Sequence, residues 1–130
     1  MSAKKNILII TDGTESIDLT AKAIESVLKK CDIKIIKAEK FVGNDLLPAD
    51  IFFLGCEKPN PESFEYLEEM LAHINLAGRK CGIFSVNKNS IKYLKDILKD
   101  CEAIIAEPFL AEKDNIQNSS VQDWLKGVMG

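Results

Sequence analysis

Two short, unbroken apolar runs, Ile7-Leu8-Ile9-Ile10 and Ile51-Phe52-Phe53-Leu54, constrain this chain more than any other feature. Neither alternates with polar residues, so each must be buried on both faces, as in a parallel sheet covered by helices. The residues after the first run change period. Over 17–30, Ile17, Ala21, Ile24 and Leu28 share one helical face, while Lys22, Glu25 and Lys29 lie outside it.

That alternation continues along the chain. Ile33 to Ile36 predicts a second strand, and the interleaved Lys34 and Lys37 suit a sheet edge. Residues 38–49 hold Gly43, Asn44 and Pro48 and are too short for a full crossover helix. Residues 51–55 predict the strongest central strand. Asn60-Pro61-Glu62 then predicts a capped helix start, with Phe64, Leu67, Leu71 and Ile74 facing inward and Ala77-Gly78 as the stop. Cys81 to Val86 predicts a strand, 90–100 a helix through Ile91, Leu94 and Leu98, and Ala103 to Ala106 a last short strand. Residues 107–119 are the least patterned and predict a surface connection. Ser120 to Asp123 resembles a capping box opening a final helix with Trp124, Leu125 and Val128. Five strands alternating with four helices imply a single α/β domain over 1–130, with right-handed crossovers and helices on both faces of one sheet.

The formal charge of -3 over 130 residues gives no sign of a nucleic-acid or membrane surface. The four apolar residues 7–10 are too few for a signal-peptide core, and no run approaches the ~20 residues of a membrane span. The expected location is therefore the cytoplasm. Cys31, Cys56, Cys81 and Cys101 form no Cys-x-x-Cys, and the lone His73 sits in a helical pattern. Zinc or iron–sulfur chemistry is not expected, and in a reducing compartment the thiols pack as small hydrophobes. Cys56 differs, because Lys58 stands nearby and a cation lowers a thiol pKa.

In such sheets ligands bind beyond the carboxyl ends of the strands, where strand order reverses. Three loops lie there: 11–16, 55–60 and 85–90. The first, Thr11-Asp12-Gly13-Thr14-Glu15-Ser16, runs from a buried strand into a helix N-terminus, where free N–H groups and the helix dipole favour an anion. An acid such as Glu15 can also satisfy that dipole itself.

At this loop the chain resembles a flavodoxin. That family carries Ser/Thr-x-Thr-Gly-x-Thr here around the phosphate of FMN. Thr11, Thr14 and Ser16 supply hydroxyls at similar places, with glycine one position early at Gly13. Leu54-Gly55-Cys56 and Gly78-Arg79-Lys80 followed by Cys81-Gly82-Ile83-Phe84 are similar to further family segments, and coverage is essentially complete. The resemblance implies a flavodoxin-like, doubly wound five-stranded parallel sheet of order 2-1-3-4-5. It implies an FMN site built from Thr11, Asp12, Gly13, Thr14, Glu15 and Ser16, then Cys56, Glu57, Lys58 and Pro59, then Ser85, Asn87, Asn89 and Ile91. Flavodoxins clamp the flavin ring with aromatic side chains, and here Pro59 and Ile91 stand at those positions. Family members are acidic around the flavin, whereas Lys58 and Lys88 would favour its reduced anion and raise the potential.

Two readings follow. One is a non-enzymatic electron carrier with FMN and a redox partner protein. The other is a flavodoxin-like module that has lost FMN and binds a partner or another small anion, as Asp12, Glu15 and the displaced glycine suggest. A receiver-type phosphoacceptor shares the fold, but Gly55 and Cys56 stand where its central acid belongs.

Overall fold

The computed structural model describes residues 5–112 and 116–129. Residues 1–4, residues 113–115 of the predicted connection and residue 130 lie outside them. Six strands form one parallel sheet in the order β2-β1-β3-β4-β5, with β6 also on β4. They span Asn6–Thr11 (β1), Asp32–Lys37 (β2), Ile51–Gly55 (β3), Lys80–Ser85 (β4), Ile104–Ile105 (β5) and Phe109–Leu110 (β6). The helices are Glu15–Val27 (α1), Glu65–Leu71 (α2), Lys88–Ile97 (α3) and Asn118–Met129 (α4). The two apolar runs lie side by side, Ile7 opposite Ile51 and Ile10 opposite Leu54, and β3 is buried along its whole length.

Burial on both faces gives two core layers. Leu8, Ile10, Phe52 and Leu54 point towards Leu67 and Leu71 of α2 and Leu94 of α3. Ile7, Ile9 and Phe53 point towards Ile17 and Ile24 of α1 and Leu125 of α4. The lysine-bearing β2 is the edge, as its alternation predicts. Between β2 and β3 the chain makes only two short 3-10 turns, Ala38–Lys40 and Gly43–Asp45. The Lys34–Asp45 ion pair at 2.9 Å ties the second turn to β2.

Four expectations need correction. Asn60 is not the helix cap; it takes φ 55°, Pro61 stays extended, and a 3-10 turn at Glu62–Phe64 leads into α2. Asparagine tolerates that left-handed conformation better than most residues. Next, α2 stops at Leu71, because Asn75 Oδ1 accepts from Ala77 N–H and Leu76 N–H donates to the Cys101 carbonyl. Third, α4 starts at Asn118, so Ser120 lies inside it, and its N–H and that of Val121 donate to the Gln117 carbonyl. Finally, the last strand continues past Ala106: Phe109 and Leu110 pair with Phe84 and Ser85 within the stretch read as a connection. Pro108 has no N–H to give a ladder, which accounts for the break between β5 and β6.

No helix of the described residues is long and apolar enough to cross a membrane.

Candidate functional site

The loop between β1 and α1 is organised by its own carboxylates. Asp12 Oδ1 accepts from the Thr14 N–H at 3.1 Å and the Thr14 hydroxyl at 2.6 Å. Its Oδ2 accepts from the Glu57 N–H at 2.8 Å, which joins the first loop to the second. The fully buried Thr11 hydroxyl donates to Asp18 Oδ1 at 3.0 Å and accepts from Gly13 N–H at 3.3 Å. Gly13 has φ 81°, a conformation that suits glycine, with the Lys37 side chain packed over it. Thr14 is the N-cap of α1, yet its hydroxyl makes no cap hydrogen bond because Asp12 takes it. Glu15 is exposed in the first turn, where it complements the dipole. Ser16 is different. Among the described residues, its Oγ is the buried side-chain oxygen or nitrogen that has no hydrogen-bond partner.

The second and third loops are tied together. Ser85 Oγ donates to the Cys56 carbonyl at 2.6 Å and accepts from Asn87 N–H at 3.1 Å. Ser90 Oγ donates to the Glu57 carbonyl at 2.8 Å. Asn87 caps α3, its side chain accepting from Asn89 N–H at 2.9 Å. The third loop is therefore only Val86 and Asn87. Asn89, expected within the loop over 85–90, stands on α3 instead, and Ile91 lies on that helix as its pattern predicts, packed against the core. Early capping by Asn87 is the reason. Half-buried Pro59 lines an open groove of about 730 Å³ with Asn89, Lys92, Tyr93 and Lys95 of α3 and with Lys99 just beyond that helix. Lys58 and Lys88 are exposed.

Cys56 sits at the centre of these loops but is fully buried. Burial pushes its thiol up to about 12, and the Asp12 carboxylate pushes the same way. The proximity of Lys58 in sequence does not lower the thiol pKa, because desolvation of the thiolate outweighs an exposed ammonium. Burial likewise raises Cys81 and Cys101. Tyr93 is raised by burial and by donating to Glu68. Sequence reasoning missed Asp18 and Ser90. Both are polar residues in the first turns of helices that follow ligand-end strands, a position that marks them.

No protein-family model matches the chain, and no curated protein does. Solved structures do match. A Streptococcus pneumonia TIGR4 flavodoxin superposes with a TM-score of 0.80 at 14% identity, covering 95% of this chain and 97% of its own. A short-chain flavodoxin associated with a PDU bacterial microcompartment gives 0.80 at 13% identity, covering 98% and 97%. This chain has the flavodoxin fold. A Fusobacterium nucleatum flavodoxin variant, solved bound to flavin mononucleotide, gives 0.78 at 17% identity over 97% and 96%. A receiver domain from Methylobacillus flagellatus superposes less well, at 0.51.

The FMN site expected from the sequence would put a phosphate at the α1 end and a ring between the second and third loops. The phosphate end offers the Ser16 hydroxyl and the N–H groups of Glu15, Ser16 and Ile17, which have no intrahelical acceptor. These fit a phosphate monoester. The Thr14 N–H and hydroxyl would serve too, but Asp12 holds them. The ring end offers Pro59 without an aromatic partner from a two-residue third loop. That is a weaker clamp, lacking the ~0.5–1.5 kcal/mol that stacking adds beyond burial.

Proposed function

We propose that this protein is an electron carrier that binds FMN with its phosphate placed at the start of α1, in the cytoplasm. Buried polar atoms nearly always have a partner, and a lone exception calls for an explanation such as an ion or ligand group. The orphaned Ser16 hydroxyl carries the reading. It lies at a helix N-terminus, where both dipole and free N–H groups favour an anion. Bound flavin supplies one- and two-electron redox chemistry. The protein positions and tunes it. Thr11, braced by Asp18 and Gly13, fixes the loop, and Lys58 and Lys88 favour negative charge nearby. For a redox partner, the lysine-bearing groove beside Pro59 offers an acidic protein a docking surface.

Purified protein should carry a flavin spectrum through gel filtration, and added FMN should raise its Tm, because a ligand of the native state stabilises it. A second reading, a flavin-free binding module, is favoured by Asp12, whose carboxylate takes donors from both loops. A colourless protein with an unchanged Tm at millimolar FMN supports that reading and rejects the first.

A further inference from the structure

We propose that Asp12 is a specificity-determining residue of the loop face: its carboxylate is the resident anion there, and a phosphate group gains these donors only by displacing it. The identity of the ligand as a flavin phosphate rests on the reading above; the role of Asp12 does not.

Three donors converge on this one side chain from two loops: the Thr14 N–H, the Thr14 hydroxyl and the Glu57 N–H, at 3.1, 2.6 and 2.8 Å. The first two belong to the N-cap of α1, so Asp12 occupies hydrogen-bonding capacity that a helix N-terminus otherwise offers to an incoming anion. Asp12 and a phosphate cannot share these donors. Each N–H or O–H has one proton to give, and two anions at contact distance in a partly desolvated site repel strongly. What Asp12 leaves unserved is the Ser16 hydroxyl, which remains buried without a partner. The loop is thus filled at one end and unfilled at the other.

The consequence is a site that discriminates poorly in favour of phosphate. In the wild type, part of what the phosphate gains from the loop is cancelled by breaking the Asp12 contacts. FMN should then bind little better than riboflavin, which lacks the phosphate. Displacement also breaks the bond from the Glu57 N–H to Asp12, so phosphate binding loosens the first loop from the second.

The test compares wild type, Asp12→Asn and Asp12→Ala in two titrations. In the first, FMN and riboflavin Kd values are measured on flavin-free protein by fluorescence quenching. Wild type should show a riboflavin-to-FMN Kd ratio of no more than about threefold, and both variants a ratio at least ~10-fold larger, with riboflavin unchanged. In the second, the Tm is compared in phosphate and chloride at equal ionic strength. Phosphate should stabilise the variants and not the wild type. If the variants respond to phosphate while no protein binds either flavin, the role of Asp12 stands and the electron-carrier reading falls. A wild-type protein that already prefers FMN by tenfold or more overturns the proposal, as do variants that gain neither FMN affinity nor a phosphate response. Asp12→Asn keeps the side-chain shape, so it decides the matter should Asp12→Ala not fold.

Discussion

Ser16 holds a hydroxyl at a buried position where no protein acceptor reaches it. An unsatisfied buried polar group costs roughly 1–3 kcal/mol, so Ser16→Ala should make the ligand-free protein more stable, by about 1 kcal/mol. The same change should reduce the rise in Tm that FMN produces. Urea unfolding with and without FMN measures both, and a destabilised ligand-free variant would mean the hydroxyl has a partner after all. Cys56 shows how a neighbouring charge misleads when burial is unknown. Its folded pKa of about 12 lies above the ordinary 9.0, so the folded state binds this proton more tightly. The stability it contributes is complete below pH 9 and is lost as pH rises towards 12. The slope is at most about 1.4 kcal/mol per pH unit for one thiol. Cys81, Cys101 and Tyr93 are raised too and act with the same sign. Unfolding free energy measured under reducing conditions should therefore fall between pH 8.5 and about 10.5, and less steeply in Cys56→Ala. Equal slopes would remove Cys56 from the account. Spacing showed a cysteine near a lysine; it did not show that the thiol is wholly buried while the ammonium is solvated.

Between β3 and β4 the packing works through two complementary pairs. Phe53 lies opposite Gly82 and Gly55 opposite Phe84. A methyl placed on Gly55 would sit 2.3 Å from the Phe84 ring, and one on Gly82 would sit 2.6 Å from the Phe53 ring. Both rings meet Trp124 edge-on, at 5.6 and 6.2 Å, and Phe109 of β6 stacks on that indole at 5.1 Å. Gly55→Ala should thus cost about 1–3 kcal/mol through overpacking. Gly78→Ala has open space around its Cβ and should suffer only from its φ of 85°. Chemical denaturation of the two variants separates the causes, and a Gly55→Ala protein as stable as wild type would refute the ring contact. The elements themselves were legible because Ile7–Ile10 and Ile51–Leu54 cannot be half-exposed. Phe109 and Leu110 were not, because two residues after a proline carry no period, and their role rests on pairing with a strand far away in sequence. The third loop was misjudged for a related reason. Asn87 is a good cap, but only structure shows that it, rather than a later residue, starts the helix. That one choice puts Asn89 on the first turn of α3, still beside Pro59, and Ile91 packs against the core, while the hydroxyls and acids of 11–16 stand where the strand–loop–helix pattern puts them.

Across the whole molecule charge is divided rather than spread. Glu39, Glu62, Glu65 and Glu69 line an open groove of about 630 Å³ with Phe41 and Tyr66. Lys88, Lys92, Lys95 and Lys99 follow one another at helical spacing, and all four are exposed. Asp96 partly offsets them through its 3.6 Å contact with Lys99. The formal charge of -3 describes neither surface. At physiological ionic strength fields die away over about 8 Å, so a reactant arriving beside Pro59 responds to the nearby lysines more than to the net charge. This sets the sign of a kinetic test on flavin-loaded, reduced protein. Oxidation by the hexacyanoferrate(III) anion should slow as ionic strength rises, and oxidation by the hexaammineruthenium(III) cation should not. Replacing Lys92 and Lys95 by Glu should lower the anion's rate at low salt and abolish or invert its salt dependence. Charge reversal of Lys22 and Lys29, which lie on or beside α1, should change it little. A hexacyanoferrate rate that increases with salt in the wild type would mean that net charge governs approach, and the lysine stripe would then lose its claim as the side from which an acidic partner docks.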